Sequence, residues 1–97
     1  MSIYETKRWR RKRITILKRD DYLCQHFKRY GKRIGAVTVH HIYPVAEYPE
    51  YAFCDWNLIS LSQKAHDMMH DRVTGKLTAL GEELKLRTIP PTPEGQK

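Results

Sequence analysis

Four of the five histidines of this chain are grouped as His40-His41, His66 and His70, and Asn57 lies nine residues before His66. An imidazole ring can bind a divalent metal ion, and a neutral imidazole can accept a proton near neutral pH. The i, i+4 spacing of His66 and His70 places them about 5–6 Å apart on one face of a helix, which is chelating distance. In a basic chain of net charge +7, this set indicates a metal-assisted nuclease.

A wide β-hairpin followed by a helix would bring these histidines together. A β-branched run predicts a strand over residues 36–42, and a short apolar segment predicts a second strand over residues 57–61. Prolines interrupt the connection between them, residues 43–56. Ser62 then provides an N-cap for a helix from about residue 63 to residue 73.

The N-terminal region predicts a basic amphipathic helix over residues 5–19. The residues that share one face of it at helical spacing are Trp9, Arg13, Ile16 and Leu17. Residues 1–35 contain twelve of the 18 lysines and arginines against three acids, so this segment carries +9 and the rest −2. Clustered cations are typical of a polyanion-binding surface, and a solvated helix face is the alternative. The candidate DNA-binding side chains are Lys7, Arg8, Arg10, Arg11, Arg13, Lys18 and Arg19.

The length of 97 residues predicts one domain, expected over residues 1–88, that needs a metal or a partner to be secure. A further short helix or strand that packs on the core is indicated by Leu77, Leu80, Leu84 and Leu86. The proline-rich segment 89–97 is expected to be disordered. No stretch approaches the ~18 apolar residues of a membrane span, and no apolar leader is present. Two cysteines, thirty residues apart, give little support for a disulfide. These features predict a cytoplasmic protein that does not bind membranes.

The central motif has a recognisable order. It consists of Val39-His40-His41-Ile42-Tyr43-Pro44, then Pro49-Glu50, then Asn57-Leu58-Ile59-Ser60-Leu61, and finally His66 and His70. This pattern resembles the HNH endonuclease family, in particular its small stand-alone members of bacteriophage and prophage genomes. The resemblance covers roughly residues 9–73. It implies an α+β fold with an HNH-type ββα-metal core over residues 36–73, a basic N-terminal helix and a short C-terminal element.

The resemblance also implies individual roles. His41 would be the general base that activates water, and His40 and His66 would be metal ligands. Asn57 would brace the loop between the strands and help to hold His41 in orientation. His70 corresponds to a histidine of the colicin-type nucleases and is the third candidate ligand.

The chemistry of phosphodiester hydrolysis fits these residue types. The reaction needs an in-line nucleophile, charge stabilisation on the phosphoryl oxygens and help for the departing 3′-oxygen, and a metal ion can supply the last two. A neutral histidine can activate the nucleophile. Because successive side chains of a strand point to opposite faces, His40 can turn to the metal while His41 faces the attacking water.

The set of His40, His66 and His70 with an open position is typical of a catalytic metal site. Three imidazoles favour Zn²⁺, Ni²⁺, Co²⁺ or Mn²⁺ relative to Mg²⁺. Many members of the family also hold a structural zinc on two Cys-x-x-Cys pairs. The matching positions here are Cys24, Phe27, Ser62 and Ala65, so no structural zinc is expected and Phe27 and Ala65 should pack in its place.

Two other functions fit part of the pattern. A zinc-stabilised DNA-binding module would explain the charge and the helix histidines, although not the positions of His41 and Asn57. A catalytically degenerate member would bind metal and DNA without turnover.

Similarity to phage members is compatible with genome packaging beside the terminase in a bacterial host, and equally with homing or restriction. One active site per chain makes nicking the default for a monomer, whereas double-strand cleavage calls for at least a weak dimer or sequential nicks.

Overall fold

An antiparallel β-hairpin with helices on both faces forms the fold of residues 2–91, the part of the chain that the computed structural model describes. The regular elements are, in order, α1 (Lys7–Arg19), α2 (Gln25–Lys28), β1 (Thr38–His41), β2 (Leu58–Leu61), α3 (Gln63–Asp67) and α4 (Ala79–Arg87). Single 3-10 turns lie at Ile3–Glu5, Pro49–Tyr51 and Asp55–Asn57. The predicted α+β class and the hairpin-plus-helix core are confirmed.

The two strands of the hairpin are shorter than predicted, and the regular ladder covers four residues of each strand. Val39 pairs with Ser60, and His40 pairs with Ile59. Backbone hydrogen bonds from Val37 to the Leu61 carbonyl and from Ile42 to the Asn57 carbonyl extend the pairing beyond the strand ends. These bonds account for the longer strands that the apolar pattern predicts.

The alternation of side chains along the hairpin separates two apolar clusters. Val39 and Leu58 pack on one face against Trp9, Ile16 and Leu17 of α1. On the other face, Leu61 and Ile59 pack with the residues of α3 and α4 and with the segment around Cys24. The adjacent histidines of β1 follow the same alternation, so they lie on opposite faces.

The basic helix begins at Lys7, two residues later than predicted. Thr6 ends the preceding 3-10 turn and caps α1, because its hydroxyl accepts a hydrogen bond from the Trp9 N–H. Trp9, Ile16 and Leu17 are buried as their spacing predicts, and most of the cations lie on the outer surface.

The four positions that correspond to a structural zinc site in relatives lie close together in the core. Cys24 and Ala65 have no solvent exposure, and Phe27 packs against the cluster that contains them. Ser62 is buried as the N-cap of α3 and accepts a hydrogen bond from the Ala65 N–H. Apolar packing and a helix cap therefore occupy this region.

Helix α3 ends at Asp67, although the sequence predicted a helix over residues 63–73. After Asp67 the chain turns, and His70 forms an isolated antiparallel bridge with Leu77. His70 is thus held at the base of a turn and not on the last turn of a long helix.

The turn over residues 71–76 explains why the helix stops. The Asp71 carboxylate accepts hydrogen bonds from the Val73 and Thr74 N–H groups, and the Asp71 N–H donates to the Lys76 carbonyl. Gly75 has a φ of +75°, a left-handed conformation that favours glycine. An aspartate at the first position of such a turn competes with helix propagation by binding the local backbone.

The last helix, α4, packs through one face only. Leu84 is buried and Leu80 packs on the same cluster, whereas Leu86 is 82% exposed on the far side of the helix. The expectation that Leu86 packs on the core is therefore wrong. Gly81 permits the close approach of α4, because a Cβ there would lie 2.5 Å from the Met69 carbonyl oxygen.

A charged clasp joins α1 to β2. The buried Asp20 carboxylate accepts hydrogen bonds from the Arg19 guanidinium and from the Ser60 N–H. The Arg19 guanidinium also donates to the carbonyls of Asp55 and Leu58. Burial alone would raise the pKa of Asp20, but the hydrogen bonds from Arg19 and Ser60 hold it below its ordinary value.

The sequence also predicts a disordered C-terminal segment and no membrane-spanning helix. Of the segment 89–97 that was expected to be disordered, residues 92–97 lie outside the described part of the chain, and Ile89 is exposed beyond α4. Among the described residues, no helix combines the length and the apolarity that a membrane crossing requires.

Candidate metal and catalytic site

A cavity of about 270 Å³ lies between the N-terminal 3-10 turn, α1, β1 and the end of α3. Its wall includes the four histidines that the sequence singled out, together with two aromatic side chains and one arginine of the N-terminal region. These residues are Tyr4, Trp9, Arg13, His40, His41, His66 and His70. The fold thus gathers the predicted histidine set around one cavity.

His40, His66 and His70 form the part of this wall that could hold a metal ion. Each offers one ring nitrogen, and these nitrogens lie within 4.8 Å of one another. Nitrogen ligands of a tetrahedral ion about 2.1 Å away are about 3.4 Å apart, so one ion can join all three. Strand β1, helix α3 and the bridge before the 71–76 turn each contribute one ring.

The surroundings of His40 fit a metal ligand. Its ring is 1% exposed, and neither Nδ1 nor Nε2 has a hydrogen-bond partner among residues 2–91. Burial, with smaller effects of His66, His70 and His41, lowers its pKa from 6.5 to about 3. A buried imidazole that stays neutral and has unpaired nitrogens is costly unless another group binds them. A divalent ion would satisfy one of them.

The other two rings are more accessible. Burial and the neighbouring His70 lower the pKa of His66, and Asp67 opposes this effect. The Nδ1 of His70 lies 3.2 Å from the Gly75 carbonyl oxygen, which can only accept, so the proton is on Nδ1 and Nε2 keeps its lone pair. The carbonyl of the 71–76 turn thus sets the tautomer that a metal-binding imidazole needs.

His41 lies on the other face of the hairpin, against α1. Its ring stacks on Trp9 at a centroid distance of 4.9 Å, and its Nε2 lies 3.0 Å from the Ala52 carbonyl oxygen. Because a carbonyl can only accept, Nε2 carries the proton and Nδ1 is left as the basic nitrogen. Burial lowers the pKa of His41, and the Ala52 carbonyl partly opposes that shift. A neutral, oriented imidazole is suited to general-base catalysis.

Asn57 holds the loop between the strands, and its contact with His41 is indirect. Its side-chain oxygen accepts from the Tyr43 N–H, and its amide nitrogen donates to the carbonyls of Tyr43 and Tyr51. Asn57 is fully buried. Since Tyr51 precedes Ala52, these bonds fix the backbone whose carbonyl orients His41.

The basic side chains of α1 differ in their surroundings. Arg13 donates to the Val37 carbonyl and reaches the cavity wall beside the histidines. Arg8 lies over the Phe53 ring, 3.8 Å from its centroid. Arg19 belongs to the clasp with Asp20, so its guanidinium supports the fold. The remaining candidates lie on the exposed surface of α1 and are Lys7, Arg10, Arg11 and Lys18.

Sequence reasoning missed three features of this site. Tyr4 reaches the cavity from a turn before α1, and the carbonyls of Ala52 and Gly75 orient the histidines. Thr6 as an N-cap could have indicated that the chain turns back before α1 and brings Tyr4 toward Trp9. The carbonyl partners leave no such signal, because every residue has a carbonyl group.

Comparison with known proteins adds one solved structure. No family model and no curated protein matches the chain. The chain is similar to a structure described as that of the deep-sea thermophilic bacteriophage GVE2 HNH endonuclease with manganese ion. The two are 38% identical with a TM-score of 0.64, and the match covers 66% of this chain and 70% of that chain.

Proposed function

The chain belongs to the HNH endonuclease family, and we propose that it is a metal-dependent endonuclease that hydrolyses DNA phosphodiesters. The proposed products are 5′-phosphate and 3′-hydroxyl ends. His41 is the general base in this proposal, and His40, His66 and His70 hold one divalent ion. Residues 1–88 would act as one nuclease domain.

The convergence of His40, His66 and His70 carries this proposal. A DNA-binding module with a structural metal would need four protein ligands that close the coordination shell. The group found among the described residues has three, and it faces a cavity. Hydrolysis requires a coordination position that no protein ligand fills, next to a neutral histidine that can act as the base.

The hairpin divides the work between its two faces. His40 lies toward α3 with the other candidate ligands, and His41 lies toward α1 with the Tyr4 hydroxyl 3.5 Å from its unprotonated Nδ1. When bound, a divalent ion supplies charge stabilisation to the phosphoryl oxygens and the departing 3′-oxygen. His41 takes the proton of the attacking water, and Asn57 keeps the Ala52 carbonyl in the position that orients His41.

Imidazole ligands decide which ions should support activity. Three of them favour Zn²⁺, Ni²⁺, Co²⁺ or Mn²⁺ relative to Mg²⁺, and the similar phage enzyme is described with manganese. We expect cleavage with Mn²⁺, Co²⁺ or Ni²⁺ at least equal to that with Mg²⁺. Activity with Mg²⁺ alone would contradict the three-histidine site.

Arg13 would contact the phosphate next to the scissile bond. Its guanidinium lines the same cavity as the histidines, and the Val37 carbonyl fixes its position. Since Arg11 lies on the exposed surface of the same helix, it provides a matched comparison. We expect Arg13→Gln to lower kcat and Arg11→Gln to weaken DNA binding alone. Equal effects on kcat would contradict this assignment.

The biological context of the proposal is a phage or prophage gene product that acts in the cytoplasm of a bacterial host. Its similarity to a bacteriophage enzyme supports this context. We propose action beside the terminase during genome packaging, by a monomer or weak dimer that nicks DNA. Specific binding of a purified terminase subunit would support the packaging role, and absence of binding would favour homing or restriction.

The first experiment is conversion of supercoiled plasmid to nicked and linear forms by metal-stripped protein resupplied with Mg²⁺, Mn²⁺, Co²⁺, Ni²⁺ or Zn²⁺. His41→Ala is the key variant, and calorimetric metal titration is run on the same samples. Cleavage lost in His41→Ala with metal affinity retained would establish the nuclease and its base. Folded protein that binds DNA without cleavage under every metal would indicate the degenerate member or the DNA-binding module.

A further inference from the structure

The side chain of Tyr4 lies over the nitrogen of His41 that accepts the proton. The Tyr4 hydroxyl is 3.5 Å from His41 Nδ1, and both groups line the cavity that contains the candidate metal ligands. Tyr4 precedes residues 9–73, the segment whose sequence pattern resembles the family. Its position therefore follows from the fold of this chain and not from the shared motif.

The turn that carries Tyr4 is fixed to the start of α1. Ser2 accepts a hydrogen bond from the Tyr4 N–H, and a capping box joins Ser2 to Glu5. The Thr6 hydroxyl donates to the Ile3 carbonyl. These bonds restrict the backbone on both sides of Tyr4, so its half-exposed ring has a defined direction.

Aromatic contacts restrict the two facing rings as well. Tyr4 meets Trp9 edge to face at a centroid distance of 5.3 Å, and Trp9 stacks on His41. The Ala52 carbonyl holds the opposite edge of the His41 ring. The lone pair on Nδ1 consequently points toward the Tyr4 hydroxyl and the cavity.

We propose that Tyr4 is a further catalytic residue, whose hydroxyl holds the attacking water together with His41. The 3.5 Å contact of the Tyr4 hydroxyl with His41 Nδ1 is a long hydrogen bond, and it can give way to one water about 2.8 Å from each of the two atoms. One hydrogen of that water is directed to His41 Nδ1 and the other to the Tyr4 oxygen. Both lone pairs of the water then remain unshared, and one of them is directed into the cavity, where the phosphodiester would lie.

The proposed hydrolysis step leaves the protonation of Tyr4 unchanged. The water oxygen forms a bond to phosphorus as the bond from phosphorus to the 3′-oxygen breaks. One water proton passes to His41 Nδ1, and the 3′-oxygen takes a proton from solvent. Tyr4 keeps its own proton throughout, so its contribution is orientation of the nucleophile.

Tyr4→Phe tests this proposal, which rests on the proposed nuclease function. Phenylalanine keeps the ring contact with Trp9 and removes only the hydroxyl. We expect kcat for plasmid nicking with Mn²⁺ to fall about tenfold or more, with KM for DNA and calorimetric Mn²⁺ affinity unchanged. Tyr30→Phe, which removes an exposed hydroxyl from the loop after α2, is the matched control and should retain wild-type kcat.

A second measurement does not depend on cleavage. In the DNA-free protein, the ¹⁵N shift of His41 Nδ1 should change in Tyr4→Phe and stay constant in Tyr30→Phe, because Tyr4 is the polar neighbour of that nitrogen. Wild-type kcat in Tyr4→Phe, or an unchanged shift, would overturn the role of Tyr4 while leaving the nuclease intact. A raised kcat would also overturn it, since the hydroxyl would then block the base. Absence of cleavage by the wild-type protein would overturn the nuclease itself and this role with it.

Discussion

Neither ring nitrogen of His40 has a hydrogen-bond partner within residues 2–91, although the ring is fully enclosed. An unpaired buried polar group costs about 1–3 kcal/mol of folding free energy. A hydrocarbon side chain at this position would carry no unpaired nitrogen and would avoid this cost. This cost favours metal binding over packing as the reason for a histidine at this position.

Replacement of His40 by leucine should separate these two contributions. Because Leu removes the unpaired nitrogens, metal-free His40→Leu should be as stable as wild type or more stable by about 1 kcal/mol. Saturating Mn²⁺ at 100 times Kd should stabilise the wild type by about 2.7 kcal/mol and the variant far less. Urea denaturation with and without Mn²⁺ measures both. The control His26→Leu, on the α2 segment, should keep the full metal response.

Asn57 should contribute both to the stability of the fold and to the orientation of the His41 ring. Asn57→Ala removes three hydrogen bonds to the backbone of Tyr43 and Tyr51 and leaves those groups buried. We expect a loss of about 2–4 kcal/mol in unfolding free energy, and a lower kcat at temperatures where the variant is folded. Gln25→Ala removes amide hydrogen bonds to two carbonyls away from the cavity. If Gln25→Ala lowered kcat equally, the effect of Asn57 would be general destabilisation.

At the level of elements, the turn over residues 71–76 connects the candidate metal-binding histidines to the fold. It ends α3 early, positions His70 beside Leu77 and presents the Gly75 carbonyl to the His70 ring. Any change in the path of this turn moves one of the three candidate ligands. The geometry of the site thus depends on a surface turn as much as on the hairpin.

Two glycines allow a matched test of this turn. Gly75 and Gly31 have φ values of +75° and +77°, and a Cβ at either would meet nothing within 4 Å. Each Gly→Ala substitution should therefore cost about 1–2 kcal/mol through backbone strain alone. Only Gly75→Ala should weaken Mn²⁺ binding measured by calorimetry. Similar losses of affinity in Gly31→Ala would show that the site responds to stability in general.

The exposed face of α1 should supply affinity for DNA that does not depend on sequence. Arg10→Gln with Arg11→Gln removes two cations, so the slope of log K against log salt should fall by up to about 2. Mn²⁺ affinity should stay constant. Fluorescence anisotropy with a duplex at several salt concentrations measures this slope. An unchanged slope would place the DNA surface on another element.

The sequence predicted the parts of the fold that depend on local pattern. The hairpin, the buried face of α1 and the cap at Ser62 follow from side-chain alternation, helical spacing and residue type. The end of α3 was mispredicted because the Asp71 turn competes with a helical apolar pattern. The contact between Tyr4 and His41 joins residues 37 positions apart through Trp9, and no local pattern encodes it.

Considered as a whole, the molecule has two apolar clusters, one on each face of a hairpin whose strands have four residues each. Each cluster is small, so hydrogen bonds between the hairpin and its helices contribute measurably to the free energy of unfolding. The clasp of Asp20 with Arg19 and Ser60 is the main polar connection described between α1 and β2.

Acid should weaken this clasp. The pKa of Asp20 is lower in the folded protein than its ordinary value, so its stabilising effect is present above that ordinary value and is lost as pH falls through the folded pKa. Asp20→Asn should lower the unfolding free energy by about 2 kcal/mol at pH 7 and flatten its dependence on pH below about 4. Denaturation curves from pH 7 to pH 2 test this. The exposed neighbour Asp21→Asn controls for the loss of one negative charge, and a wild-type acid profile in Asp20→Asn would contradict the assignment.

The placement of His40 and His41 on consecutive residues makes enzymatic activity sensitive to strand alignment. A shift of β1 by one residue would exchange the faces of the two rings, so that the candidate ligand His40 would meet Trp9 and the proposed base His41 would meet α3. Asn57, by fixing the loop at Tyr43 and Tyr51, opposes such a shift. An insertion or deletion of one residue in that loop could leave a folded protein that has its base and its ligand interchanged. If the proposed roles of the two histidines hold, turnover would report directly on correct β-pairing.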